Sequence, residues 1–230
     1  MTMTQLDKAL QAEIGILHTE GRAKPPERVI TAYHPPTGDL GPRYSLQGEK
    51  TRFLRMNSNS YLSLSNHPLI IARADNATKA CGVGPGAVRF IDGTFSYHVD
   101  LEERIARFVG KAAAKIFNSA YTANCGLALT LGNATTHWIG DQLNHNSIIR
   151  AMRIAGVPGS NKSIYAHNDM ADLEQCLAAV PPQASRVVVI FDGIFSMRGD
   201  NAPINEICAI TDRYQEKFTD GVITVVDDSH

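Results

Sequence analysis

Apolar positions along this chain change their spacing several times, and each change predicts an element. Leu6, Leu10, Ile14 and Leu17 recur three and four residues apart, the period of one helix face, which predicts a helix over residues 4–20. From Gly21 to Gly48 that period is lost. Pro25-Pro26 and Pro35-Pro36 punctuate the stretch, which reads as a linker or extended arm. From Asn57 onward short strands and helices alternate. Pro68 in a first turn and Gly82 just past the end bracket a helix at 68–80, and another covers 100–109. Strands are predicted at 113–117, 137–140, 163–165, 186–191 and 222–226. Helices through 127–131 and at 147–155, 170–179 and 204–215 separate them. Such alternation predicts an α/β fold, with a mainly parallel sheet and helices on both faces.

Composition narrows the function classes. Apolar residues make 43% of the 230 and charged residues 20%, an ordinary globular balance with enough chain to bury a core. A net charge of -1 provides no overall field for nucleic acid or an anionic membrane. No apolar run approaches the ~20 residues of a membrane span. The N-terminal segment alternates charges and has no apolar signal core. Cys81, Cys125, Cys176 and Cys208 are widely spaced, with no C-x-x-C pair. They read as free thiols in a reducing compartment, so a cytoplasmic location is expected. His98, His145, His167 and His230 lack spacing such as H-x-x-x-H, and no metal is expected.

Candidate chemistry gathers where strands end, because open α/β sheets bind ligands at the carboxyl ends of their strands. Asn118-Ser119-Ala120-Tyr121-Thr122 is a small polar turn opening a helix. Its free N–H groups and the helix dipole suit a phosphate, although any capped helix offers the same turn. His145, in Asp141-Gln142-Leu143-Asn144-His145-Asn146-Ser147, is either a surface residue in an Asx-type turn or an imidazole working on a ligand. The loop 192–200 carries two glycines, two aspartates and Ser196. Asp227-Asp228-Ser229-His230 follows the last strand. A capped loop explains any one of these; their recurrence at successive strand ends is harder to explain that way. Gly82-Val83-Gly84-Pro85-Gly86 follows a helix rather than a strand, so it reads as a helix cap and not as a dinucleotide fingerprint.

Taken in order, several segments resemble the α-oxoamine synthase family of pyridoxal-phosphate (PLP) enzymes, which have the fold-type-I aminotransferase architecture. They are Asn59-Ser60-Tyr61-Leu62 with Asn66-His67-Pro68, Val88-Arg89-Phe90-Ile91-Asp92-Gly93-Thr94, Ala123-Asn124, Asn144-His145-Asn146-Ser147-Ile148, Asn168-Asp169-Met170, Asp192-Gly193-Ile194-Phe195-Ser196-Met197 and the closing Asp227-Asp228-Ser229-His230. The resemblance implies a fold-type-I large domain, mainly parallel and incomplete at its C-terminus. It would occupy residues 57–230, behind an N-terminal helix and arm at 1–56. It also implies a PLP cofactor, small-molecule substrates (an amino acid, usually glycine, and an acyl-CoA) joined to an α-amino ketone, and a homodimer.

By the same resemblance, the turn Ser119-Ala120-Tyr121 would hold the cofactor phosphate through backbone amides. His145 would stack on the pyridine ring, Asp227 would keep the ring nitrogen protonated, and His230 would reach the phenolic oxygen, with Ser196 near the same edge. His145 and His230 are thus the catalytic candidates, and Asn59 would lie near the substrate carboxylate. Ser60, Ser63 and Asp92 depart from the family pattern, which bears on the acyl donor rather than on the cofactor. In relatives a Schiff-base lysine follows the Asp-x-x-His motif. None of Lys8, Lys24, Lys50, Lys79, Lys111, Lys115, Lys162 and Lys217 holds such a position. The expectation is an incomplete copy of the enzyme; the alternative is a catalytically inactive partner subunit of the same fold.

Overall fold

The structure is a computed structural model that describes residues 3–230. The chain packs as two units, one running to Ile71 and the other from Ala72 to His230.

In the first unit, α1 (Gln5–Thr19) starts with a capping box. Thr4 Oγ1 accepts the Asp7 N–H, and the Asp7 carboxylate accepts the Thr4 N–H. The helix forms where the apolar period predicts it, yet it buries no residue, and Leu6, Leu10 and Ile14 are all exposed. The expected arm is not featureless. It contains an antiparallel pair, β1 (Ile30–His34) and β2 (Arg43–Leu46). Tyr44 then exchanges backbone hydrogen bonds with Phe53, extending the pairing. The prolines and glycines fall in the connection, while Ile30, Thr31, Tyr33 and Tyr44 supply residues that favour strands. Tyr33 and Tyr44 pack ring against ring at 5.6 Å.

The second unit holds the alternating series. Helix α2 (Pro68–Cys81) crosses the boundary between the units and ends at Gly82, whose φ of 80° suits glycine. Helix α3 (Ser96–Phe108) begins earlier than its apolar pattern predicts, because His98 Nδ1 accepts the Phe95 N–H and closes an additional first turn. Residues 113–117, expected as a strand, are irregular. Among the described residues no strand pairs with them, and the Ile116 N–H donates to Glu102 Oε1 instead (3.1 Å). Without a neighbouring strand this segment has no ladder to join.

Beyond this point come α4 (Ala120–Leu131), β3 (Thr136–Asp141), α5 (Asn146–Ile154), β4 (Lys162–Tyr165), α6 (Met170–Ala178), β5 (Arg186–Asp192), α7 (Ile204–Arg213) and β6 (Val222–Asp227). The four strands form one parallel sheet in the order β4-β3-β5-β6. Strand β5 is buried on both faces. Val187, Val189 and Phe191 join Ile139, Leu173, Leu177 and Ile207 in a core with α6 and α7. Val188 and Ile190 join Trp138, Ala128, Ile148 and Ala151 in a core with α4 and α5. All four strands therefore point their carboxyl ends the same way, and register sets Asp192 beside Asp227.

Candidate active site

Strands β3, β5 and β6 each finish on an aspartate: Asp141, Asp192 and Asp227. Asp141 and Asp192 are buried, and each is occupied by backbone donors. Asp141 accepts the Leu143 N–H (2.7 Å) and the Asn168 N–H (3.0 Å), which shapes the turn after β3. Asp192 accepts the His145 N–H at 2.7 Å. Burial pushes the Asp192 carboxyl above its ordinary range. The His145 N–H opposes that rise and the neighbouring Asp227 charge adds to it. The Asn144 side chain completes this corner, donating to the Ile190 carbonyl (2.8 Å) and accepting the Asp192 N–H (3.2 Å).

His145 thus stands on a turn pinned from below, with its ring at the surface. Its Nδ1 accepts the Ser147 N–H (3.2 Å) and lies 2.7 Å from Ser147 Oγ. An Nδ1 that accepts a backbone N–H leaves the ring proton on Nε2, so these partners assign the tautomer. Buried Asn124, on α4, donates through Nδ2 both to Ser147 Oγ (2.9 Å) and to Asp227 Oδ2 (2.8 Å). A continuous path therefore runs from His145 through Ser147 and Asn124 to Asp227. The other Asp227 oxygen accepts from the Ser229 backbone and hydroxyl.

Helix α4 also supplies the donor end of the site. Ser119 caps it, its Oγ accepting the Thr122 N–H at 3.1 Å. Among the described residues no acceptor meets the N–H groups of Ala120 and Tyr121, which lie at the positive end of the helix dipole. Asn124 is one turn further along the same helix, so these amides and the Asp227 partner share one rigid element. Ser196 is exposed on the loop between β5 and α7, and His230 is half-buried just beyond β6. Asn59 is exposed in the first unit.

The lysines of the second unit lie elsewhere. Lys162 opens β4 and so sits at a strand's amino end. Lys217 Nζ donates to the Leu177 and Ala178 carbonyls at the end of α6 (3.0 and 2.8 Å). Lys115 pairs with Glu102, Lys79 is in the last turn of α2, and Lys111 follows α3. Among the described residues there is no His, Cys, Asp and Glu grouping that could hold a metal ion. Nor, among these residues, is any helix long and apolar enough to cross a membrane.

Residues 51–230 match the family described as aminotransferase class I and II. The chain belongs to that family. Its relatives place it in the α-oxoamine synthase and class I–II superfamily of fold-type-I enzymes. It is 37% identical over 228 residues to the mitochondrial 2-amino-3-ketobutyrate coenzyme A ligase of Bos taurus, covering 99% of this chain and 50% of that protein. It is also 37% identical over 203 residues to the 8-amino-7-oxononanoate synthase of Thermoanaerobacter pseudethanolicus, covering 88% and 48% respectively. Among solved structures, serine palmitoyltransferase from Sphingomonas wittichii superposes with a TM-score of 0.77 at 26% identity, covering 98% of this chain and 52% of that one. The S. paucimobilis serine palmitoyltransferase, whose structure holds PLP and myriocin, gives 0.78 at 25% identity, with 97% and 52% coverage. The chain spans about half the length of the curated relatives it matches.

Three residues of the site carry more than the strand-end reading assigns them. Asn124 and Ser147 form the link between His145 and Asp227, and Asp192 anchors His145 through the backbone. Asn124 and Ser147 lie inside quoted motifs, but neither spacing nor composition shows that they meet each other across 23 residues of chain.

Proposed function

We propose that this chain forms the cofactor-binding layer of a PLP-dependent acyltransferase. The reaction joins an amino acid, glycine, to an acyl-CoA, acetyl-CoA, giving an α-amino ketone as in glycine C-acetyltransferases. The observation that carries the proposal is the hydrogen-bonded path from His145 to Asp227, built on the helix that opens with the free Ala120 and Tyr121 N–H groups.

The donor set fits PLP. The Ala120 and Tyr121 N–H groups would bind its phosphate at the positive end of α4, with Ser119 shaping the turn. Asp227, oriented by Asn124, would hold a proton on the pyridine nitrogen, because a carboxylate partner favours the charged ring. His145, fixed through both its backbone and Nδ1, would cover the ring. Ser196 and His230 would serve the phenolic edge, and Asn59 the substrate carboxylate. When bound, PLP supplies an electron sink for negative charge at the amino acid α-carbon. Glycine and acetyl-CoA are favoured by the likeness to 2-amino-3-ketobutyrate coenzyme A ligase, and the same family likeness supports a homodimer.

The cofactor proposal is tested with pyridoxamine 5'-phosphate, which has no aldehyde and so cannot label surface lysines. Trp138, the single tryptophan, reports binding through its fluorescence. We expect saturable quenching that inorganic phosphate competes away. Asp227→Ala should weaken it by about tenfold or more, the worth of a charge-assisted hydrogen bond. Quenching that never saturates, or that is indifferent to Asp227, would reject the site.

A further inference from the structure

A second polar cluster lies beside this site and the path from His145 to Asp227 does not use it. His167 follows β4, and each of its ring nitrogens meets a carboxylate: Nδ1 is 2.9 Å from Asp141 Oδ1, and Nε2 is 3.0 Å from Asp200 Oδ2. Asp141 ends β3 and organises the turn leading to His145. Asp200 lies on the far side of the loop between β5 and α7, the loop that carries Ser196.

We propose that His167 is a positioning residue, a clasp that fixes the 193–202 loop, and with it Ser196, to the strand end that carries the His145 turn. Two further contacts bind the same corner. The rings of His167 and buried Phe195 stand nearly perpendicular, with centroids 4.4 Å apart. Asn168, left-handed with φ 55°, donates through Nδ2 to the Asn201 carbonyl (3.2 Å). The loop is also folded on itself. The Phe195 N–H donates to the Asp200 carbonyl, the Gly199 N–H to the Phe195 carbonyl, and the Ala202 N–H to the Gly193 carbonyl. Moving Asp200 therefore moves the segment that contains Ser196.

A carboxylate facing each nitrogen means that both nitrogens donate, so the clasp is complete only when the imidazole is charged. Burial opposes that charge, but the hydrogen bonds to Asp141 and Asp200 outweigh it and raise the pKa of His167 above the ordinary histidine value. The same contact holds Asp200 below the usual carboxylate range, with Arg198 adding to the effect. The other acidic groups here are already engaged. Asp172, on α6, accepts the Ala166 N–H, and Asp169, which caps that helix, accepts the Asp172 N–H. Asp192 is buried against the His145 N–H, and Tyr165, buried near Asp141, has its hydroxyl pushed up and stays neutral. A group whose pKa is raised by folding stabilises below its unfolded value and loses that contribution as pH rises through the folded value. The clasp should therefore loosen on the alkaline side of the His167 titration.

The assignment of Ser196 to a cofactor edge rests on the function proposed above; the clasp does not. Hydrogen exchange on the full chain, without any ligand, tests it. After correction for intrinsic rates, protection at Phe195, Gly199 and Ala202 should fall about tenfold as pH rises through the titration of His167 followed by NMR, while Val188 and Val189 stay constant. His167→Gln should show the low value at every pH. Should that variant fail to fold, Asp200→Asn removes one arm from the loop side; it should lower both the His167 midpoint and the protection. A flat wild-type profile, or a wild-type step retained in either variant, would overturn the clasp. A failure of pyridoxamine phosphate to bind would leave that step in place and count only against the cofactor reading.

Discussion

The Asn124 side-chain amide donates to Asp227 Oδ2 at 2.8 Å, joining the first turns of α4 to the end of β6 across 103 residues of chain. The same nitrogen reaches Ser147 Oγ, so one amide serves two partners. Asn124→Ala leaves both acceptors without their donor at a buried position. It should cost about 1–3 kcal/mol, read as a lower urea midpoint with an unchanged slope. Asn124→Asp sets a like charge against Asp227 and should cost more. Equal stability of wild type and Asn124→Ala would show that the amide does not hold Asp227.

Glu102 provides a pH test away from the strand ends. Two hydrogen bonds from Arg89 (3.0 and 3.1 Å), then the Ile116 N–H, hold its pKa at about 2. Because folding lowers this pKa, its contribution is fully present above the ordinary glutamate value and disappears as pH falls toward about 2. Glu102→Gln should flatten that part of the stability profile. Parallel acid-unfolding curves for wild type and variant would contradict this.

Gly93 is tested by a single methyl. A Cβ there would lie 2.1 Å from the Ala87 carbonyl oxygen and 2.6 Å from that of Val88, both backbone atoms with no rotamer to move aside. Gly93→Ala should therefore destabilise by about 3 kcal/mol, the upper end for overpacking. Gly159, where the added atom meets open space, is the control; there alanine should stay within about 0.5 kcal/mol.

Burial should separate two leucines that the sequence treats alike. Leu173 is fully buried, whereas Leu10 is 46% exposed on α1. Leu173→Ala should cost about 2–5 kcal/mol, and Leu10→Ala about 0.5 kcal/mol or less. Comparable shifts in the thermal midpoint would mean that α1 is covered in solution.

The residues that are legible in the sequence are those whose environment is set by near neighbours. The β-branched run of β5 has one plausible fate, and the polar residues after each strand mark its carboxyl end. Residues 113–117 have the same local texture as a strand, but strands are made by partners, and composition does not show whether a partner exists. The β1–β2 hairpin escapes notice because proline and glycine dominate its connection, hiding the pairing of Tyr33 with Tyr44. Asn124 and His167 act through residues far away in the chain, and their roles appear only once the parallel register brings the strand ends together.

Strand β5 belongs to both hydrophobic cores, with Val188 and Ile190 on one side and Val187, Val189 and Phe191 on the other. Neither helical layer can melt while the other stays intact, because each would strip half the covering from the same strand. The sheet and helices α4–α7 should therefore lose their order in one step. Asp192, at the tip of that strand, accepts the His145 N–H, so the His145 turn is anchored to the one strand that both cores share.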